Sequence, residues 1–206
     1  MKPASDIAFT PTVKALQTER GSREAYARME ERGGFRTAIS DDLATFLATI
    51  DTAYLATSNA EGQPYAQHRG GPKGFIRPIG PSTLAFADYT GNRQYITSGN
   101  LADNPRAFLF LMDYANRRRI KIWGRARVVG NDPALVERLM PQGYRAKPEQ
   151  AIVFEVEAWD SNCPQHIPVK LDMADVAAAV APLEERITAL EAENTALRAR
   201  LERNPT

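Results

Sequence analysis

The chain has 206 residues, 43% of them apolar, which suits one domain with a sizeable core and some appendages. Its 26 basic and 25 acidic residues nearly cancel, which excludes a bulk polycation that holds nucleic acid by charge alone. The lone cysteine, Cys163, excludes an internal disulfide framework and a Cys-cluster zinc site.

Residues 1–10 carry no regular pattern. From Pro11 to Arg32 apolar residues (Val13, Leu16, Ala25, Met29) recur at helical spacing. Gly21-Ser22 divides the run into two helices, with Ser22 expected to cap the second, and Gly33-Gly34 ends it. A third helix is expected from Ser40, an N-cap followed by Asp41 and Asp42, with Leu43, Phe46, Leu47 and Ile50 as its apolar face. Short strands follow at 52–58, 64–69, 75–78, 83–87, 107–113 and 118–129, with a turn at 59–62 in which Gly62 supplies positive φ. Residues 90–103 hold one or two helical turns. Asp132 caps a helix that starts at Pro133 and runs to Met140, and a last strand covers 151–159. Short strands at even spacing predict a small antiparallel barrel, not βαβ units. The N-terminus is not signal-like and no apolar run approaches the ~18 residues of a membrane span, so a cytoplasmic protein is expected.

Residues 173–203 follow another rule. Val180, Ile187, Asn194 and Leu201 fall at heptad position a, and Leu183, Leu190 and Leu197 at d. Pro182 is expected in the first turn of the clean coiled coil. One Asn among apolar a residues favours a parallel dimer in fixed register. A single amphipathic helix packed on its own barrel, an antiparallel pair and a higher oligomer are the alternatives, and self-association is the favoured reading.

The joints between strands concentrate the chemistry. Gln67-His68-Arg69-Gly70-Gly71 ends a strand with a guanidinium and two glycines, which let backbone N–H groups approach an anion. Gly91-Asn92-Arg93, with Ser98 and Asn100 nearby, is a second anion-binding combination. Arg118 and Arg119 open a basic strand that is either a solvated face or a phosphate contact. Asn162-Cys163-Pro164-Gln165-His166 holds a Cys and a His three apart, too few for a closed metal site. That loop is read either as a tight packed turn or as a ligand contact, a Cys-His nucleophile pair being possible in principle. There is no G-x-G-x-x-G, P-loop or nucleophile elbow.

Residues 53–129 resemble the pyridoxamine 5'-phosphate oxidase-like flavoproteins. The resemblance rests on YLATSNAEGQPYAQHRGGPKGF, TLAFADYTGNRQYITSGNLADNPRAFLFL and RRIKIWGRARVV, and WDSNCPQHIP extends it over most of 35–168. It implies an FMN-binding split β-barrel, antiparallel and Greek-key-like, over 35–171, between an N-terminal helical segment (1–34) and a C-terminal coiled-coil helix (172–206). It also implies a homodimer with FMN in clefts between the subunits. By resemblance, Gln67, His68, Arg69 and Gly70 run beside the flavin, and Asn92, Arg93, Ser98 and Asn100 form the phosphate-loop region. Arg118 and Arg119 reach the cofactor from the partner, and Cys163, Gln165 and His166 lie in a loop near the ring. The C-terminal R-L-x-P segment that closes the pyridoxal phosphate pocket of the oxidase itself is missing. The expectation is therefore an FMN-dependent oxidoreductase acting on an unidentified small molecule, not a vitamin B6 oxidase. The competing expectation is a non-catalytic protein of the same fold that stores or senses flavin, or binds haem through His166 or Cys163.

Overall fold

The computed structural model of the protein describes residues 2–161 and 164–203. The chain divides into two units, Met1–Asp113 with Arg117–His166, and Tyr114–Asn116 with Ile167–Thr206.

The first unit is built on one seven-stranded antiparallel sheet of order β2-β1-β5-β6-β7-β4-β3. Its strands are β1 (Thr52–Ser58), β2 (Pro64–Gly70), β3 (Arg77–Gly80), β4 (Thr83–Tyr89), β5 (Arg106–Asp113), β6 (Arg118–Val129) and β7 (Pro148–Ser161). Alternation decides which residues enter the core. Leu55 of β1, Leu109 and Leu111 of β5 and Ile120 and Ile122 of β6 are all fully buried. Helix α3 (Asp41–Thr49) closes this core with Leu43, Phe46 and Leu47. Burying each such side chain contributes about 1.5–3 kcal/mol. Trp159 of β7 anchors the centre, and its indole N–H donates to the Ala38 carbonyl at 2.8 Å.

The sheet curls until its ends meet. Arg69 on β2 is ion-paired with Asp88 on β4, yet β2 has no ladder partner beyond β1. Side chains, not main-chain hydrogen bonds, hold this seam. A gap of about 190 Å³ between the two strands is lined by Gln67, Arg69, Phe86 and Asp88 among others. A second apolar layer lies where α5 (Pro133–Leu139) packs Leu139 over Ala85, Ala87, Ala151 and Val153. Between Trp123 and Gly124 the register of β6 against β7 shifts by a bulge.

Local signals explain most elements. Ser40 accepts from the Leu43 amide at 3.3 Å and Asp132 from the Leu135 amide at 2.8 Å, each satisfying an otherwise orphaned helix donor. Gly62 has φ 88°. Ser22 departs from its expected role. Its φ/ψ of −99°/−8° is helical, so the hydroxyl cannot turn back to cap α2 (Arg23–Glu31) and instead points at the Gln17 carbonyl. Residues 1–10 are more ordered than their pattern suggests: Ala4–Ile7 forms a 3₁₀ turn ahead of α1 (Pro11–Glu19), and Ser5 is fully buried. Phe9 lies edge-on to Phe35, which stacks on Trp123 at 5.2 Å, docking the N-terminal segment on the sheet. The third strand begins at Arg77, not Phe75, because Phe75 and Ile76 turn into the core.

The second unit contains α6 (Met173–Arg203), 31 residues without a buried side chain. Pro182 lies inside this helix and not in its first turn. The alanines at 177–179 and 181 are strong helix formers and carry the helix past the one amide that proline removes.

Candidate functional site

A cleft of about 300 Å³ opens beside the barrel seam. Three parts build it. On β2, alternation turns Tyr65, Gln67 and Arg69 toward the cleft. The apolar run of β4 ends in Asp88 and Tyr89 at its edge. The loop Gly91–Gln94 leads through Tyr95 into α4 (Ile96–Asp103) and lines the opposite wall.

A polar network ties these parts together. Thr97 donates to the Gln67 side-chain oxygen at 2.7 Å, leaving the Gln67 NH₂ for a ligand. Arg69 pairs with Asp88, whose second oxygen accepts from Gln150 Nε2 at 2.8 Å, and the same nitrogen lies 3.2 Å from Ser98 Oγ. Asp88 therefore compensates Arg69. Arg69 Nε nevertheless remains buried without a hydrogen-bond partner among the described residues, a costly state for a charged group. Arg93 is different. It is exposed at the cleft wall and, among the described residues, has no ion-pair partner. Its φ is 61°, and Tyr95 two residues on has φ 53°. Non-glycine residues held in this region cost about 1–3 kcal/mol each and cluster at functional sites. The loop is braced by Asn92, whose side chain accepts from the Gln94 amide, and by the Tyr95 hydroxyl, which donates to Glu149 at 2.7 Å. That hydrogen bond, with burial, pushes the Tyr95 hydroxyl pKa up. Burial, then Tyr144, does the same for Tyr89.

The residues singled out from the sequence divide into groups. Gln67, Arg69, Asn92, Arg93 and Ser98 line the one cleft. Gly70 and His68 line the neighbouring gap at the seam. The backbone puts His68 on the other face of β2 from Gln67 and Arg69, edge-on to Tyr54 at 5.8 Å. Asn100 is buried and donates to Thr57 at 3.0 Å, tying α4 to β1 instead of lining the cleft. Arg118 pairs with Asp42 at 3.1 Å and lies over the Phe46 ring, outside both openings. Arg119 lies beside Met112 on the outer face of the sheet, its Nε buried and unpartnered among the described residues. Gln165 and His166 form an exposed turn with His166 at φ 61°. Cys163 and Asn162 lie outside the described residues. Asp88, Thr97, Glu149 and Gln150 are lining residues that sequence reasoning missed. Asp88 carried a signal, being a carboxylate at the end of an otherwise apolar strand.

With a curled antiparallel sheet, a side-chain seam and a polar cleft at that seam, the class is a split β-barrel. The chain belongs to the pyridoxamine 5'-phosphate oxidase family, whose pattern it matches over residues 39–163. No curated protein matches it by sequence. Among solved structures it is similar to HupZ of Group A Streptococcus, at 18% identity and TM-score 0.50, over 65% of this chain and 99% of that one. An FMN-binding protein from Syntrophomonas wolfei is similar at 12% identity and TM-score 0.46, over 71% and 97%. A putative pyridoxamine 5'-phosphate oxidase from Lactobacillus delbrueckii is similar at 17% and 0.47, over 61% and 95%.

Proposed function

We propose that the protein is an FMN-dependent oxidoreductase whose cleft beside the seam holds the flavin phosphate and ribityl chain. The observation that carries this reading is the free Arg93 guanidinium on a strained polar loop, facing Gln67 and a buried, under-satisfied Arg69. A dianionic phosphate needs charge-assisted donors, and an ion-paired Arg69 supplies less net positive charge than Arg93 does. Arg93 therefore holds the phosphate. The Ser98 hydroxyl and the Asn92 amide add neutral donors, and the Gln67 NH₂ contacts the ribityl chain or ring edge. Asp88 orients Arg69 and keeps the seam closed. Bound flavin supplies hydride or electron transfer, which none of these side chains provides.

The protein acts as a homodimer in this reading. The outer face of β2, β1, β5 and β6 carries the cross-strand row His68, Tyr54, Phe110 and Lys121 beside a second row with Phe108 and Trp123. These aromatics are only partly covered. A second copy packed there brings His68 and Arg119 to a cofactor shared between subunits. Gln165 and His166 belong to the loop over the ring. Among the described residues no helix is long and apolar enough to cross a membrane.

The test is titration of the full-length protein and its Arg93→Ala variant with FMN and with riboflavin, which lacks the phosphate. Losing one charge-assisted contact of about 1.5–3 kcal/mol weakens FMN binding roughly 10- to 150-fold. Riboflavin binding stays the same, and so does the melting temperature of the flavin-free protein, because the Arg93 side chain makes no hydrogen bond or ion pair among the described residues. Equal losses for both ligands, or none for FMN, would overturn the phosphate assignment. A Soret band in the purified protein would assign haem instead.

A further inference from the structure

We infer that α6 is a parallel, in-register, two-stranded zipper, a dimerisation element separate from the barrel face and independent of flavin. Four observations converge on it. First, the helix runs unbroken from Met173 to Arg203 and buries nothing, while Val180, Leu183, Ile187, Leu190, Leu197 and Leu201 are between 39% and 72% exposed. A continuous apolar seam on a charged helix lacks a partner. Second, that seam carries a groove lined by Ile187, Leu190, Glu191, Asn194, Thr195 and Arg198, which are the a, d and e positions plus one b. Third, the β-branched Val180 and Ile187 at a, with leucine at each d, are the combination that favours two strands.

The fourth observation, the flanking charge, sets the direction. Positions e carry Glu184, Glu191 and Arg198, and positions g carry Arg186, Glu193 and Arg200. In a parallel pair each g residue faces the e residue five positions on. Arg186 then meets the partner's Glu191, and Glu193 meets the partner's Arg198. Twofold symmetry makes four attractive pairs and no repulsive one. Antiparallel packing sets e against e and g against g. In the antiparallel registers that keep a against d and overlap most of the seam, Glu184 or Glu191 meets a glutamate of the partner. It also sets Asn194 against leucine, burying an amide with no acceptor. In the parallel arrangement Asn194 meets the partner's Asn194, and the two amides hydrogen-bond. The occupant the charges select is a second copy of this chain.

Disulfide trapping in the full-length protein tests this. Cys163 is replaced by Ser so that one thiol remains, and Asn194→Cys, Leu190→Cys and Ala192→Cys are oxidised separately at low micromolar concentration. Positions 194 and 190 lie on the seam, whereas 192 faces away at position f. The expected result is rapid covalent dimer for the 194 and 190 variants and monomer for the 192 variant. A dimer held by the barrel alone gives no such pattern. In antiparallel strands that keep a against d, the two copies of residue 194 are offset along the axis by at least three residues, about 4.5 Å at a 1.5 Å rise per residue, on top of the separation between the helices, which takes them out of disulfide range, and they do not link. Monomer at both seam positions, or equal trapping at all three, overturns the zipper. Circular dichroism at 222 nm confirms that each variant retains its helix.

Discussion

At the scale of the residue, Gly124 shows how one atom sets a register. It sits at the bulge between β6 and β7, where an added β-carbon would land on the Glu155 carbonyl oxygen and within 2.7 Å of the Phe154 ring. Both obstacles belong to a packed strand, and Phe154 is fully buried, so neither can swing away. Gly124→Ala is therefore expected to cost about 3 kcal/mol or more, within the range for forced overpacking and backbone shift. Urea denaturation measures it, and a loss under 1 kcal/mol would mean the bulge relaxes freely. The same residue scale separates the two cleft arginines. Arg93 is disposable to the fold, whereas replacing Arg69 strands Asp88 as a buried, uncompensated carboxylate. Ligand binding by Arg69 variants is thus confounded with stability, and that by Arg93 variants is not.

At the scale of the element, α1 and α2 are joined by a small ionic cluster in which Glu30 accepts from Arg23 and lies 3.2 Å from Lys14, itself paired with Asp6. Burial works to raise the Glu30 carboxyl pKa, but the hydrogen bond from Arg23 and the neighbouring Lys14 ammonium outweigh it and hold the group below its ordinary 4.5. A carboxyl depressed on folding adds stability that is fully present above its ordinary value and lost as pH falls through the folded one. Glu30→Gln should melt earlier than the parent at pH 7, with the gap closing below about pH 4. A gap constant from pH 7 to 3 would remove charge from the explanation. Elements written in local code were legible in the chain. Strands β1 and β6 fall on the residues where alternation and flanking turn residues put them, and Ser40 and Asp132 cap as their positions suggest. What failed to show was non-local or depended on φ and ψ. Ser22 has the right chemistry in the wrong conformation, and the Pro182 signal was outweighed by neighbouring alanines. Asp88 and Gln150 meet Arg69 and Ser98 only after the sheet curls, and no spacing rule connects residues 62 apart. Five of the candidate residues share one cleft because the β2 face and the loop before α4 are local features.

At the scale of the molecule, a barrel joined at one side by side chains has unequal edges. Strands β1, β5, β6, β7 and β4 are each flanked by two neighbours, whereas β2 and β3 have one. Pro64 and Pro78 sit on those two outer strands, where a missing amide costs no ladder bond and discourages another chain from adding on. The seam therefore predicts a rhythm of solvent isotope uptake. Amides of β2 and β3 exchange deuterium through local opening, orders of magnitude faster than those of β5 and β6, which wait for global unfolding. Mass spectrometry of peptides spanning 64–70 and 118–129 reads the contrast directly. Saturating FMN should slow the first peptide and leave the second unchanged, because a ligand spanning the cleft clasps β2 to the loop before α4. Equal uptake in both peptides would show that Arg69 and Asp88 seal the barrel as firmly as a row of main-chain hydrogen bonds.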